Sequence, residues 1–279
     1  MLNRSIGLFA EADPSTLTRE TAAVHAAAGV RFLGTRQLVP KTVRGFLGVA
    51  VEFSGVEIIA RGISVRGPKG CAFANVSLDV GAGQLAIVAG PGGSGRTALL
   101  LALAGRMQLV TGTVRVGAHV LPGDARQVQR CVAVAQAPPA VDLDEFLRVE
   151  DLIAERAMIG GTSASRQVVH ELFESLGLDV PASATVDELR PRDRTLLAIS
   201  LAAAEQPSAV VVDNADADCG PEEGRHVWAA LQGLAASGCT VVASSTQIPD
   251  LPDESDIAVT VLPHPLERDT IPAAPEDKP

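Results

Sequence analysis

Tyrosine is absent from the 279 residues, and aromatic side chains other than histidine amount to seven phenylalanines and one tryptophan. A core must therefore be aliphatic, and alanine, valine, leucine and glycine dominate the chain, with 47% of residues apolar. Basic residues are outnumbered, 23 lysines and arginines against 33 aspartates and glutamates. The resulting net charge of −10 argues against nucleic acid as a main partner. Cysteine is sparse too. Cys71, Cys131, Cys219 and Cys239 are scattered without metal-ligand spacing, which predicts buried thiols in a reducing compartment. No apolar run is long enough to span a bilayer, and Met1–Ala10 lacks a basic start followed by an apolar core, so no signal peptide is expected. The expected location is cytoplasmic, with any place at the cytoplasmic face of a membrane supplied by a partner.

What is present centres on Gly90-Pro91-Gly92-Gly93-Ser94-Gly95-Arg96-Thr97. The apolar run Leu85–Ala89 leads into it and the helix-forming run Ala98–Ala104 leads out. Strand, glycine loop and helix in that order form a phosphate-binding P-loop. The glycines, Gly90, Gly92, Gly93 and Gly95, let backbone N–H groups turn inward as an anion nest around Ser94. The helix adds its positive N-terminal end. Thr97 is placed to ligate Mg²⁺ through its hydroxyl. Arg96 stands where the pattern calls for lysine. It keeps the charge, but its planar fork is larger than an ammonium. The loop thus supports nucleotide binding better than hydrolysis.

The remaining chain alternates strands and helices. Strands are expected at Glu57–Val65, Ala74–Val80, Gln84–Ala89, Gly112–Val116, Val120, Val132–Ala135, Ala209–Val212 and Thr240–Ala243. Helical spacing marks Val149–Met158, Arg166–Leu176, Thr195–Ala204 and Arg225–Ala236. Residues 1–56 read as a helical appendage of unknown role. Within it Pro14–Ala28 is a short helix, Val43–Phe53 is apolar, and Arg31, Arg36, Lys41 and Arg44 make a basic stretch best taken as a solvated face. Pro263–Pro279 is rich in proline and charge and reads as a disordered tail.

From about Ile58 to Leu262 the chain resembles the nucleotide-binding domain of ABC transporters. Gln136 sits where that family's Q-loop glutamine contacts the metal. Leu147–Leu152 resembles the entry to its helical subdomain, here about 137–189. Leu189-Arg190-Pro191-Arg192-Asp193 takes the place of the signature sequence LSGGQ, and from there to Val210-Val211-Val212-Asp213, the Walker B strand, the pattern fits without a gap. The resemblance implies an α/β P-loop NTPase core over 57–262: a mainly parallel sheet, an antiparallel β-lobe and a helical subdomain. It also implies ATP or ADP bound with Mg²⁺ held by Thr97, Gln136 and Asp213. The implied partners are a second nucleotide-binding domain and a separate transmembrane subunit.

The departures are equally specific. Family members that hydrolyse ATP carry glutamate after the Walker B aspartate. Here Asn214 follows Asp213, and an amide cannot take a proton at neutral pH. The signature has lost its serine and both glycines, and Pro191 has no N–H to offer a phosphate. The switch histidine falls at Thr246 or Gln247, and Ala217-Asp218-Cys219-Gly220 does not match the D-loop SALD. No aromatic ring stands in Arg66–Gly70 to stack on adenine. No catalytic residue is assigned, since Asn214 and Gln247 stand at the catalytic positions. The expected function is a degenerate ATP-binding subunit serving a membrane transport complex, with weak or no hydrolysis. A slow but active ATPase and an interaction module that has lost its ligand are the alternatives.

Overall fold

The computed structural model describes residues 51–68, 70–161, 164–251 and 257–264. The expected helix over Pro14–Ala28, the basic stretch that follows it, and the expected tail beyond His264 lie outside the described residues.

Two sheets organise the fold. The first is antiparallel, with spatial order β2-β1-β4-β5, made of β1 (Ile58–Gly67), β2 (Gly70–Val80), β4 (Leu109–Val116) and β5 (His119–Leu121). The second has order β6-β7-β8-β3-β9, made of β3 (Leu85–Ala89), β6 (Val132–Gln136), β7 (Ala209–Val212), β8 (Thr240–Ser245) and β9 (Ile257–Val261). Every pairing in the second sheet is parallel. Its order reverses between β3 and β7, and β8 lies between them. Crevices outside the strand ends at such a reversal are where open α/β sheets bind ligands. The α/β class with a parallel sheet and an antiparallel lobe is the one the sequence implies.

The central strands are continuous apolar runs because both sheet faces are covered. Successive side chains on a strand point to opposite faces. Ala86 and Val88 of β3, Val211 of β7 and Val242 of β8 therefore join a core with α1 (Arg96–Leu103) and the antiparallel lobe. Ile87, Val210, Val212, Val241 and Ala243 point the other way, into a core with α5 (Pro191–Ala203) and α6 (Pro221–Ala236). Between β6 and α5 lie α3 (Val149–Gly160), α4 (Arg166–Leu176) and a 3-10 turn, Val186–Glu188. Leu152, Ile153, Val169, Leu172 and Phe173 carry this second core into those helices. Ser165 accepts a hydrogen bond from the Val168 N–H at the start of α4, and left-handed Gly177 ends it.

Several elements differ from the sequence reading, among them α6, which begins at Pro221 and not Arg225, and β2, which begins at Gly70 and not Ala74. Helix α5 begins at Pro191, not Thr195, because proline suits the first helical position and Asp193 suits the first turn. Helix α2 (Ala125–Cys131) was not expected, since only Val128 on it is buried. Strand β9 also escaped the pattern. It is a half-exposed edge strand, with Val261 62% exposed.

Candidate nucleotide site

Strand β3 delivers the chain to Gly90, whose N–H donates to the Ser245 carbonyl at 3.2 Å. The Ser94 N–H donates back to the Pro91 carbonyl at 3.0 Å, closing the loop. Gly93 and Gly95 have φ of 76° and 97°, which side-chain-bearing residues rarely adopt. At Gly95 there is a second constraint: a Cβ would lie 2.3 Å from the Ala72 carbonyl oxygen. Glycine at 95 thus seats the loop on β2. Helix α1 starts at the next residue. The loop walls one side of an open cavity of about 360 Å³, and Gly67, Pro68 and Gly70–Ala72 of the antiparallel lobe wall the other. Arg66 is exposed on β1 and is not in that wall. Two buried polar atoms of the loop, Ser94 Oγ and Arg96 Nε, have no hydrogen-bond partner.

The expected metal residues meet at the end of β7. Asp213 is fully buried. Thr97 Oγ1 donates to its Oδ2 at 2.5 Å, and the Ser244 hydroxyl donates to its Oδ1. The Asp213 N–H donates to the Gln136 carbonyl at 3.0 Å, and Gln136 Nε2 donates to the Asp213 carbonyl at 2.9 Å. Gln136 therefore clamps the backbone of Asp213, with its own side chain buried. The sequence reading did not single out Ser244. Its signal is a pair of serines, Ser244 and Ser245, ending an otherwise apolar strand.

Arg96 is turned inward. It is 8% exposed, and its guanidinium donates to the Gly90 carbonyl and, through Nη2 at 2.6 Å, to Asn214 Oδ1. Asn214 has φ of 48°, and its own N–H donates to Ser244 Oγ at 2.9 Å. The residue that follows Asp213 is thus bonded to the basic residue of the glycine loop.

A second, polar cavity of about 460 Å³ lies beyond Asn214, lined also by Asp216, Asp218, Ser245, Thr246 and Gln247. Asp216 is held by the Ser245 hydroxyl at 2.8 and 2.9 Å and by Trp228 Nε1 at 3.0 Å. The single tryptophan, 1% exposed, therefore serves as a donor at this cavity as well as core. Both Thr246 and Gln247, the residues expected near the switch position, line this cavity, and neither carries a titratable ring. The segment Leu189–Asp193 runs into the first turn of α5. Arg192 donates to Asp193 Oδ1 through Nε at 2.8 Å and Nη2 at 2.6 Å, and Arg190 Nε lies 3.8 Å from Oδ2. The carboxylate of Asp193 thus sits at the positive helix end, where it is favoured.

Fold and site together define a P-loop nucleotide-binding cassette. The sequence profile of the ABC transporter family matches residues 73–217, and the chain belongs to that family. Among curated relatives, the Nod factor export ATP-binding protein I of Burkholderia orbicola is 27% identical over 170 residues, covering 61% of this chain and 56% of the relative. Its namesake in Mesorhizobium japonicum is 26% identical over 197 residues, covering 71% and 56%. The alignments thus span little more than half the length of these relatives. Among solved structures, an ABC transporter ATP-binding cassette in its ADP conformation superposes with a TM-score of 0.56 at 18% identity, covering 70% of this chain and 83% of that one. A bacterial ABC transporter cassette solved as a dimer gives 0.57 at 18%, covering 74% and 94%. At that identity these two structures speak for the fold.

Proposed function

We propose that this chain binds Mg²⁺ with ATP or ADP at the loop 90–97 as the ATP-binding subunit of a membrane transport complex, and hydrolyses ATP slowly or not at all. The observation that carries the binding is the pair of unpartnered buried polar atoms, Ser94 Oγ and Arg96 Nε, on a glycine loop beside a cavity. Unsatisfied buried polar groups are costly, and an anion in the nest would satisfy them. Thr97 Oγ1 and Asp213 Oδ2 already face each other and are the hard oxygen donors that Mg²⁺ prefers. When bound, Mg²⁺ supplies charge to neutralise the phosphates.

The weak hydrolysis rests on Asn214. It orients Arg96 but cannot accept a proton from water. Pro191 has no N–H to offer, and the Arg192–Asp193 pair stands where the signature's small residues would approach a phosphate. A head-to-tail pair with a second cassette and a separate membrane-spanning subunit completes the proposed assembly. Among the described residues no helix is long and apolar enough to cross a membrane. Calorimetry with Mg-ADP and Mg-ATP tests the binding. The wild type should bind, and Thr97→Ala should lose the Mg²⁺-dependent part. Equal binding by both proteins, or none by the wild type, would remove the loop from the account.

A further inference from the structure

Arg96 lines the first cavity, Asn214 lines the second, and one hydrogen bond of 2.6 Å joins them. We propose that Asn214 sets nucleotide affinity by competing with phosphate for the Arg96 guanidinium, an inference that rests on the loop being a nucleotide site.

The guanidinium now donates to two neutral oxygens, the Gly90 carbonyl and Asn214 Oδ1. Its Nε–H is buried with no partner. A phosphate oxygen carries charge, so it attracts the guanidinium through an ion–ion term that the neutral Gly90 and Asn214 oxygens lack. A phosphate in the nest therefore draws the fork toward itself. Gly90 belongs to the same loop, six positions away, so its carbonyl accompanies Arg96. Asn214 belongs to the turn after β7. Its backbone is anchored by the bond to Ser244 and by its left-handed conformation, so it does not move with the loop. Binding then stretches or breaks the Arg96–Asn214 bond, and the strength of residue 214 as an acceptor decides the cost. Asn214 is a positioning residue in this scheme, acting on the ligand through Arg96.

Substitutions at 214 should move affinity in opposite directions. Asn214→Ala and Asn214→Leu remove the competing acceptor, and bonds to charged groups are strong enough for binding to tighten about tenfold. Asn214→Asp replaces a neutral competitor with a charged one and should weaken binding by roughly tenfold or more. Damage to structure would weaken binding in every variant, so the sign of the change is the diagnostic reading. The experiment titrates the full chain and the three variants with Mg-ADP and Mg-ATP by calorimetry. A nucleotide-free thermal midpoint confirms that each is folded, and the leucine variant, branched like asparagine at Cγ, stands in should the alanine one not fold. Tighter binding by Ala or Leu with weaker binding by Asp supports the competition. A wild type that binds, with Ala and Leu equal to it or weaker, overturns the competition and leaves the nucleotide site standing. A wild type that binds neither nucleotide overturns both.

Discussion

Arginine at position 96 changes the shape of the cation at the loop and leaves its charge alone. The fork reaches Gly90 and Asn214 together, which a lysine ammonium matches only as a point charge. This is one reason that repairing residue 214 alone should fail. Asn214→Glu places a carboxylate against the Arg96 guanidinium, where it pairs with the cation and is not left to activate water. The signature segment and Thr246/Gln247 also stay unaltered, and groups that act as one catalytic unit are strongly non-additive. A single-turnover assay on Asn214→Glu should show no large Mg²⁺-dependent gain; a clear gain would mean that the remaining positions are adequate as they stand. Glycine 95 carries a different prediction. Because a Cβ there meets the Ala72 carbonyl, Gly95→Val should lower the thermal midpoint as well as abolish nucleotide binding. Unchanged stability would show that β2 yields easily. Cys219 offers a pH test. Burial first, and then Glu223, Asp216 and Asp218, push its thiol up to about 11. A raised thiol pKa keeps the reactive thiolate scarce at neutral pH. Alkylation at Cys219, followed by peptide mass spectrometry, should still be rising steeply with pH at about pH 10, where an ordinary thiol has largely levelled off. A plateau reached by about pH 10 would contradict the burial argument.

At the scale of elements, what the sequence disclosed was whatever is local. Residues 85–104 hold strand, loop and helix in one continuous stretch, so the P-loop was legible at once. Residues 166–176 carried the apolar spacing of α4, and the structure adds the Ser165 cap and the Gly177 stop at its two ends. The partners of Arg96 and Asp213 were not legible. Arg96 and Asn214 are 118 positions apart, as Thr97 and Asp213 are 116 apart, and no periodicity records such a meeting. The family pattern placed Thr97 and Asp213 near one ion. It gave no sign that Asn214 would bind the residue at 96. Thr240, the first residue of β8, is a similar case. Fully buried, its hydroxyl accepts from the N–H groups of Val56 and Gly83, both at 3.0 Å, and donates to the Val56 carbonyl at 2.7 Å. It ties the approach to β1 and the turn before β3 to the parallel sheet. Thr240→Val keeps the shape and orphans those groups, so about 2 kcal/mol or more of stability should be lost. Urea unfolding followed by Trp228 fluorescence measures it, and a midpoint equal to the wild type would show that water replaces the hydroxyl.

Across the whole molecule, the parallel sheet separates the two cores and carries both halves of the site at its strand ends. The loop after β3 supplies the anion nest, the turn after β7 supplies Asp213 and Asn214, and the end of β8 supplies Ser244 and Ser245. On the proposed reading the fold and the glycine loop are kept, while the family pattern's groups for turning bound ATP over would be the ones replaced at positions 189–193, 214 and 246–247. A missing general base alone costs about 10²–10⁴-fold in rate. The measurement that bears most directly on a cassette that holds nucleotide without consuming it is phosphate release by the full chain mixed in excess with Mg-ATP labelled at its γ-phosphate. The account predicts that bound nucleotide is recovered as intact ATP long after binding has reached equilibrium. Release at the ordinary enzymatic pace of roughly 1–10³ per second, abolished by Thr97→Ala, would contradict it.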